Sequence, residues 1–462
     1  MNDPVSFSFL DSLHCPFCGG DFALSELDQA GFGILACYCG RYPIVAGIPI
    51  IKKGNIGVAG ETVEVVASLI NAGRSRDALL AMVMPPPPAS PTLAPAWLQS
   101  LPSLKGIRRI KSFAHQRSAR AWREQAVSLL ADPDDQVTAC DYLDLYYHRS
   151  GFKTNDGYDY FALRFGQPRH LVALSFTTLI QEPTKPVLDL ACGYGHITRS
   201  LARRAHRQPV IGVDQTFTGL YLAKKFIAPE AEYVCCAADG PLPFSNDFFS
   251  AAFCSDAFHY FIHKVSSFKE LRRLIADDGI IIMVWIHNVH VRRPHDGLPL
   301  PPEGYEALVA DMPHRVVGDS DVLTRYLQRQ GPALAASAKL EGLSREPLLS
   351  IVASHRQEFF KDYGEFQDWP HGEGRLELNP LYKMDKVNDS PAYVQLRRTY
   401  PSDFYLDDHT QSKEYLPETV KVHSRVLADL AAGHRTPDVE RLVDQFVALG
   451  MPERYQAVLK LS

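Results

Sequence analysis

The spacing of polar and apolar residues changes several times along the 462-residue chain. Short apolar runs in the first 55 residues are separated by glycine and cysteine, which is typical of strands and tight turns. Residues 62–83 carry apolar side chains at helical spacing and predict a helix. From residue 187, short β-branched runs alternate with amphipathic stretches. This alternation predicts a parallel sheet covered by helices.

The pattern is weaker after residue 300. Residues 347–354 and 375–382 are predicted strands, and residues 416–460 are predicted to be helical. The stretch MPPPPASPTLAP at 84–95 cannot continue a helix, because each proline lacks an N–H donor. It predicts a stiff, extended linker and marks the clearest boundary in the chain.

Composition narrows the class of protein. Apolar residues make up 46% and charged residues 22%, as in folded domains, and the net charge of -5 weighs against a broad nucleic-acid-binding face. The N-terminus has no basic lead before an apolar core, so no signal peptide is predicted. The longest apolar run, GIIIMVWI at 279–286, is too short to span a bilayer. We therefore expect a cytoplasmic protein with no membrane partner.

Four of the nine cysteines lie in the first 39 residues. Cys15 and Cys18 form CPFC, and Cys37 and Cys39 form CYC after an 18-residue gap. Four thiolates in this arrangement suit tetrahedral zinc, so they are candidate metal ligands. The CYC spacing is one residue shorter than usual, which leaves open whether both of its sulfurs bind the metal. Four reduced cysteines without metal, or His14 as a ligand, are the alternatives.

The stretch VLDLACGYGHIT at 187–198 reads as a strand, a small-residue loop and the start of a helix. Gly193 and Gly195 allow a sharp turn and a close approach of a ligand to the main chain. Asp214 ends the next strand, where an acid accepts hydrogen bonds from ribose hydroxyls. Thr198 stands where a dinucleotide-binding loop has its third glycine, so this loop is not suited to a diphosphate.

The order of these motifs resembles that of class I S-adenosylmethionine-dependent methyltransferases, over roughly residues 150–300. The resemblance implies a Rossmann-like, mostly parallel seven-stranded sheet flanked by helices, and an α/β fold. It also implies an in-line methyl transfer, in which the protein positions the reactants and excludes water. The matching segments are VLDLACGYG, Asp214, ADGPLPF at 238–244, FFSAAFCSDAFHYF at 248–261 and ELRRLIADDGIIIMVW at 270–285.

The resemblance also implies a set of cofactor-binding residues. The loop backbone would hold the methionine part, Asp214 the ribose, and Ala238 and Asp239 the adenine, while Arg164 or Tyr160 would meet the carboxylate. Asp189 as a helix cap, Asp239 as a turn residue and residues 157–174 as a packed aromatic helix are the alternatives. The candidate cofactor-binding residues are Asp189, Ala191, Cys192, Gly193, Gly195, Asp214, Gln215, Ala238, Asp239, Ser255 and Arg164.

His259 is the candidate catalytic base, because it follows the fourth strand at the edge where ligands bind in open α/β sheets. The neighbours with the same opportunity are Tyr260, His263 and Asp256. His287 and His290 follow the fifth strand and belong to the same predicted cleft. Many enzymes of this class need no dedicated base, so a loop or core role for these residues is the alternative.

The segment CGRYPIVAGIPII at 39–51 resembles the small zinc-ribbon proteins that activate tRNA and protein methyltransferases. Tyr42, Pro43, Gly47 and the Ile48–Pro49 pair carry this resemblance. It implies a fused recognition or stabilising domain with structural zinc. A zinc ribbon also precedes the catalytic domain in a bacterial rRNA methyltransferase family, which supports RNA as an alternative substrate.

The predicted fold is therefore an α/β methyltransferase domain with a small N-terminal zinc ribbon and a C-terminal helical extension. The predicted function is S-adenosylmethionine-dependent methylation of a small-molecule acceptor in specialised metabolism. An RNA methyltransferase that uses the basic stretch at 104–124 is one alternative, and a cofactor-binding but inactive protein is another. The acceptor and the oligomeric state stay open. The predicted domains are a ribbon at 1–55, a helix and linker at 56–103, a methyltransferase domain with a helical lid at 104–355 and an acceptor-binding extension at 356–462.

Overall fold

The first strands form because β-branched runs are joined by tight turns. Ala46 and Gly47 both have positive φ, 50° and 74°, as a type I′ hairpin turn requires. A 3-10 helix, Phe7–Ser12, precedes an antiparallel sheet of four strands in chain order: β1 (Ala23–Leu24), β2 (Gly33–Cys37), β3 (Gly40–Val45) and β4 (Ile48–Pro49). We call residues 7–57 the ribbon. The computed structural model describes residues 7–25, 27–57, 60–84, 120–132, 136–147, 156–291, 297–338, 340–366, 369–386 and 392–456.

The predicted helix at 62–83 is divided in two. Helix α1 is Val63–Asn71, with Thr62 as its cap, and helix α2 is Ser75–Val83. Gly73 between them has a φ of 69°, which is outside the helical region and ends α1. Residues 85–95 of the predicted linker and 104–119 of the basic stretch lie outside the described residues.

A seven-stranded sheet forms the centre of the molecule, and the predicted mostly parallel sheet is confirmed. Its order is β10-β11-β9-β8-β5-β6-β7; β5 to β9 are parallel, and β11 runs antiparallel to β9 and β10. Alternate residues of each strand enter cores on opposite faces, because successive side chains point to opposite sides. The strands are β5 (Val187–Leu190), β6 (Val210–Asp214), β7 (Glu232–Cys235), β8 (Phe249–Ser255), β9 (Ile275–His287), β10 (His314–Gly318) and β11 (Leu348–Ser354).

Helices cover both faces of this sheet. The helix Pro168–Thr177 is buried along its whole length and packs on β9 and on the helices His196–Ala205 and Asp319–Leu327. Short 3-10 or π segments lie at Arg164–Gly166, Ala223–Ile227, Phe258–Tyr260 and Gln357–Phe359. The helices are α3 (120–131), α4 (Ala139–Tyr147), α5 (Asp156–Ala162), α6 (Pro168–Thr177), α7 (His196–Ala205), α8 (Phe217–Leu222), α9 (Lys264–Leu274), α10 (Pro302–Val309), α11 (Asp319–Leu327) and α12 (Leu340–Leu343).

The predicted C-terminal helical extension is wrong, because this region mixes strands and helices. Helical periodicity is limited to 424–444, whereas Thr419–His423 and Ala448–Met451 are short β-prone runs that pair with distant strands. The sheets are β12-β16 and β13-β14-β15. The elements are a 3-10 turn (Pro370–Gly372), β12 (Arg375–Leu378), β13 (Tyr382–Lys386), β14 (Tyr393–Arg398), α13 (Asp403–Asp408), a 3-10 turn (Thr410–Glu414), β15 (Thr419–His423), α14 (Ser424–Ala431), α15 (Pro437–Asp444) and β16 (Ala448–Met451).

The ribbon is attached to the edge of the main sheet at β7. Ile50 forms a parallel bridge with Cys235, and the Ile51 amide donates to the Cys235 carbonyl at 2.8 Å. Leu13 and Phe244 form a second bridge and enter the same core. No helix within the described ranges is long and apolar enough to cross a membrane.

Candidate functional site

The loop between β5 and α7 needs glycine at two positions for different reasons. Gly193 has a φ of 57°, and a Cβ there would meet no atom within 4 Å, so it borders open space. Gly195 has a φ of 76°, and its Cβ would lie 2.8 Å from the Ala223 Cβ, so this glycine allows close packing. Ala191 takes a φ of 56° without being glycine. Backbone held in a sparsely populated conformation is frequent at ligand sites.

Asp214 fixes this loop. Its carboxylate accepts hydrogen bonds from the Gly193 amide at 3.0 Å and the Thr216 amide at 2.8 Å. Burial raises the pKa of Asp214 although both amides lower it. The ribbon also reaches this place, since Lys52 Nζ donates to the Gln215 carbonyl at 2.9 Å. The predicted ribose acid therefore borders the glycine loop and stands close to the ribbon.

Asp189 is buried beneath the same loop. The Thr198 hydroxyl donates to its carboxylate at 2.6 Å, which ties the end of β5 to the first turn of α7. Burial raises the pKa of Asp189 to about 7. Gly195 stands at the cap of α7, so Asp189 contacts this helix through Thr198 and is not the cap given as the alternative.

The remaining predicted cofactor residues follow other strands at the same sheet edge. The Cys192 amide donates to the Val213 carbonyl at 3.0 Å, and Ala238 and Asp239 form a turn after β7. Ser255 ends β8, and its buried hydroxyl has no hydrogen-bond partner within the described part of the chain. The structure thus brings these residues to the carboxyl edge of one parallel sheet.

Arg164, a predicted partner of the cofactor's carboxylate, is engaged in an ion pair within the protein. Its side chain is buried, and Nη1 donates to Asp256 at 3.1 Å. Arg169 Nη1 donates to the same Asp256 oxygen at 2.8 Å. Burial raises the pKa of Asp256, but the two guanidinium groups outweigh it and hold the pKa well below its usual range. Asp256 has a φ of 58°, so backbone strain accompanies this ion pair.

His259 is completely buried and stacks on His287, with ring centroids 3.9 Å apart and planes at 9°. Burial, then the neighbouring His287, lowers the pKa of His259 to about 3, so its ring is neutral at physiological pH. His263 and His290 are exposed. Of the histidines predicted from sequence, His287 lines the cavity at the ends of β8 and β9. His259 is not among the lining residues of that cavity.

A cavity of about 260 Å³ lies at the carboxyl ends of β8 and β9. Helix α13 and its flanks, from the C-terminal region, close one side. We call it the acceptor cavity, after the role that we propose for it. Its walls are Asp159, Tyr160 and Arg169 from the helices before the sheet; Asp256, Tyr260 and His287 after β8 and β9; and Ser402, Phe404, Tyr405, Asp408 and His409 from the C-terminal region.

The sequence reading missed the residues that cross this cavity. Arg169 bridges Asp256 and Asp408, and its Nη2 lies 3.1 Å from His409 Nε2. The segment FYLDDH at 404–409 combines acids, aromatics and a histidine, which is the one local sign of a site in this region. Its spacing in the sequence does not predict a contact with Arg169. The ligand atoms of Asp256, His259 and His287 also lie within 4.8 Å of one another, as in a metal site. Because two guanidinium groups already neutralise Asp256, we interpret this group as an ion pair beside stacked imidazoles.

The four N-terminal cysteines converge. Their Sγ atoms are 3.4 Å apart for Cys15 and Cys39, 3.7 Å for Cys18 and Cys37, and 3.6 Å for Cys37 and Cys39. The Tyr42 hydroxyl lies 3.5 Å from the Cys39 sulfur. Burial raises the pKa of Cys15, but hydrogen bonds from backbone amides and the other thiols outweigh it and lower the pKa to about 6. Four sulfurs at these distances fit a tetrahedral zinc ion.

The CYC spacing is explained by a hairpin. Cys37 pairs with Gly40 across β2 and β3, so Tyr38 and Cys39 form a two-residue turn. The Tyr38 side chain is fully exposed, whereas Cys39 turns inward. His14 is engaged elsewhere, since its ring contacts Asp21 and Ser245, each at 2.9 Å. It is not part of the sulfur cluster.

The comparison with protein families agrees with this geometry. Residues 188–283 match the model of a methyltransferase domain. The chain thus carries a methyltransferase domain, and the prediction of a methyltransferase enzyme is confirmed. No match was found among curated proteins.

Among solved structures, the YcgJ protein from Bacillus subtilis is 16% identical, covers 40% of this chain and 99% of its own, and has a TM-score of 0.30. A complex between the Haloferax volcanii Trm112 methyltransferase activator and a methyltransferase is 18% identical, covers 44% of this chain and 96% of its own, and has a TM-score of 0.32. Geranyl diphosphate C-methyltransferase from Streptomyces coelicolor A3(2) is 16% identical, covers 40% of this chain and 75% of its own, and has a TM-score of 0.31.

Proposed function

We propose that the protein transfers the methyl group of S-adenosylmethionine to a small molecule bound in the acceptor cavity. The observation that carries this proposal is the cavity's position at the carboxyl ends of β8 and β9, enclosed by α13. Ligands of open α/β sheets bind at this edge. The proposed cofactor residues are Asp189, Ala191, Cys192, Gly193, Gly195, Asp214, Gln215, Ala238, Asp239 and Ser255, whereas Arg164 positions Asp256.

The chemistry is an in-line displacement. The acceptor atom attacks the methyl carbon, the sulfonium becomes a neutral thioether, and the acceptor's proton passes to a base. We assign His287 as that base, because its ring borders the cavity. His259 becomes a positioning residue that acts through the parallel stack with His287. The main contribution of the protein is to hold the reactants together in an enclosed site.

The acceptor class is tested by incubating the protein with radiolabelled S-adenosylmethionine and a host extract, then separating small molecules from RNA. We expect the label in the small-molecule fraction and none when the Asp214→Ala variant is used. Label confined to RNA would support the alternative instead and reject a small-molecule acceptor.

The wall that α13 contributes to the cavity gives a second test. Phe404 is 40% exposed and borders the cavity. Phe404→Ala removes apolar contact area, so we expect the KM for the extract's acceptor to rise by about tenfold. Affinity for S-adenosylhomocysteine should not change. Met384→Ala is the control, because Met384 is 42% exposed and outside the cavity. An unchanged KM in Phe404→Ala would exclude α13 from acceptor binding.

The four cysteines are proposed to hold structural zinc, with both Cys37 and Cys39 as ligands. All four positions are then filled by protein, which leaves none for a substrate. Freshly purified protein should contain stoichiometric zinc by elemental analysis, and Cys15→Ser/Cys18→Ser should lose it and unfold the ribbon. Cys140→Ser, outside the cluster, should retain zinc. Wild-type protein without zinc would refute the proposal.

A further inference from the structure

A cavity of about 630 Å³ lies between α7 and the C-terminal region. The strands β12 and β16 contribute to it, and within the described chain it shares no lining residue with the acceptor cavity. We call it the basic cleft. Its volume is in the range of sites that bind small molecules.

Six cations line the cleft although the chain carries a net charge of -5. Only Glu230 and Glu453 among the lining side chains are acidic. Low-dielectric walls concentrate the field of like charges that share a cleft, so anions are attracted to it. The lining cations are Arg199, Arg203, Lys225, Arg375, Arg435 and Arg454.

Arg199 is the most buried of these cations, with 5% of its surface exposed. Its Nη2 donates to the carbonyl of Glu373 at 3.1 Å and to that of Met451 at 3.3 Å. Carbonyl groups orient a guanidinium but do not neutralise it. Burial, and then the charge of Arg203, lower the pKa of Arg199 to about 10, although the charges of Glu373 and Glu230 act in the opposite direction. The guanidinium therefore lies where additional negative charge would stabilise it.

The backbone is shaped around this guanidinium. Gly374 has a φ of 107°, and a Cβ at this position would collide with Arg199. Only glycine adopts this conformation easily and leaves the guanidinium room. The backbone at Gly374 therefore packs directly against the Arg199 guanidinium and fixes its position.

Each lining cation other than Arg199 has an acidic partner: Arg203 lies 3.7 Å from Glu373, and Arg375 Nε lies 2.9 Å from Glu377. Asp132 pairs with both Lys225 and Arg454. Glu440 accepts from Arg435 Nε at 2.7 Å. An arginine has five N–H donors, so Arg435, with one acidic and one carbonyl partner, can still donate to a ligand.

We propose that the basic cleft binds a small multivalent oxyanion, carrying phosphate or carboxylate groups, at a site separate from methyl transfer. Forked guanidinium groups match the oxygens of phosphate and carboxylate. An RNA strand is a poorer fit, because a concave cleft of about 630 Å³ suits a small molecule rather than an extended phosphate backbone.

Titration calorimetry of the full chain with inorganic pyrophosphate, and separately with citrate, tests the proposal. We expect binding that weakens with salt and persists when S-adenosylhomocysteine is saturating. Arg203→Gln/Arg435→Gln should lower the affinity by about tenfold or more. These side chains are 39% and 49% exposed, so the fold should tolerate the changes. Arg397→Gln, which removes an exposed arginine outside the cleft, should have no effect.

Several results would overturn the proposal. These are no binding of either probe, equal binding by the double variant, or displacement of the probe by S-adenosylhomocysteine. RNA binding that the double variant loses, without pyrophosphate or citrate binding, would reject a small anion. Arg199→Lys keeps the charge but loses the fork; if it melts like the wild type, it should also bind more weakly. Tighter binding of pyrophosphate assigns phosphate as the ligand group, and tighter binding of citrate assigns carboxylate.

Discussion

Asp214→Ala is expected to lower the affinity for S-adenosylhomocysteine by about 100-fold or more. Two ribose hydroxyls would lose their charged acceptor, which corresponds to roughly 3 kcal/mol. The glycine loop would also lose its support, because the Gly193 and Thr216 amides both donate to this carboxylate. The measurement is calorimetric titration with S-adenosylhomocysteine.

The matched variant is Asp214→Asn, which keeps the size of the side chain but only one acceptor oxygen. It should bind more weakly than wild type and more tightly than Asp214→Ala. Circular dichroism must show that each variant is folded. Wild-type affinity in folded Asp214→Ala would exclude Asp214 from the cofactor site.

Asp256→Asn is expected to lower the free energy of unfolding by about 3 kcal/mol, because Arg164 and Arg169 would lose their shared buried counter-ion. The melting temperature should fall by roughly 3 °C, measured by scanning calorimetry. Asparagine is the suitable replacement, because it tolerates the positive φ at this position as well as aspartate does. Methyl transfer should fall as well, since Asp256 lines the acceptor cavity.

The pH dependence of this effect has a definite sign. The pKa of Asp256 is depressed in the folded protein, so its stabilising contribution is complete above the unfolded pKa of about 4. This stabilising contribution is lost as the pH falls through the pKa that Asp256 has in the folded protein. The difference in melting temperature between wild type and Asp256→Asn should therefore be full at neutral pH and shrink in strong acid. Asp385→Asn, which breaks an exposed pair with Arg397, should leave the melting temperature unchanged. Equal melting of Asp256→Asn and wild type would contradict a stabilising ion pair.

The central sheet and its glycine loop were accessible from sequence because their signals are local. Alternating β-prone runs and amphipathic stretches predict the parallel strands, and Gly193, Gly195 and Asp214 lie within one strand–loop–helix–strand unit. The same holds for the cysteines, whose convergence follows from two short turns. The C-terminal region was read as helical because β12 and β16 pair across about 70 residues. Runs as short as four residues carry little periodicity of their own.

The sequence by itself determined the class of fold, the methyltransferase domain and the four cysteines, since each rests on residues close together along the chain. The tertiary structure alone decided which histidine borders the cavity, how Arg169 joins Asp256 to Asp408, and how Arg199 meets the C-terminal strands. These contacts connect segments up to 252 residues apart. They depend on how the C-terminal region packs against the sheet, which local spacing does not encode.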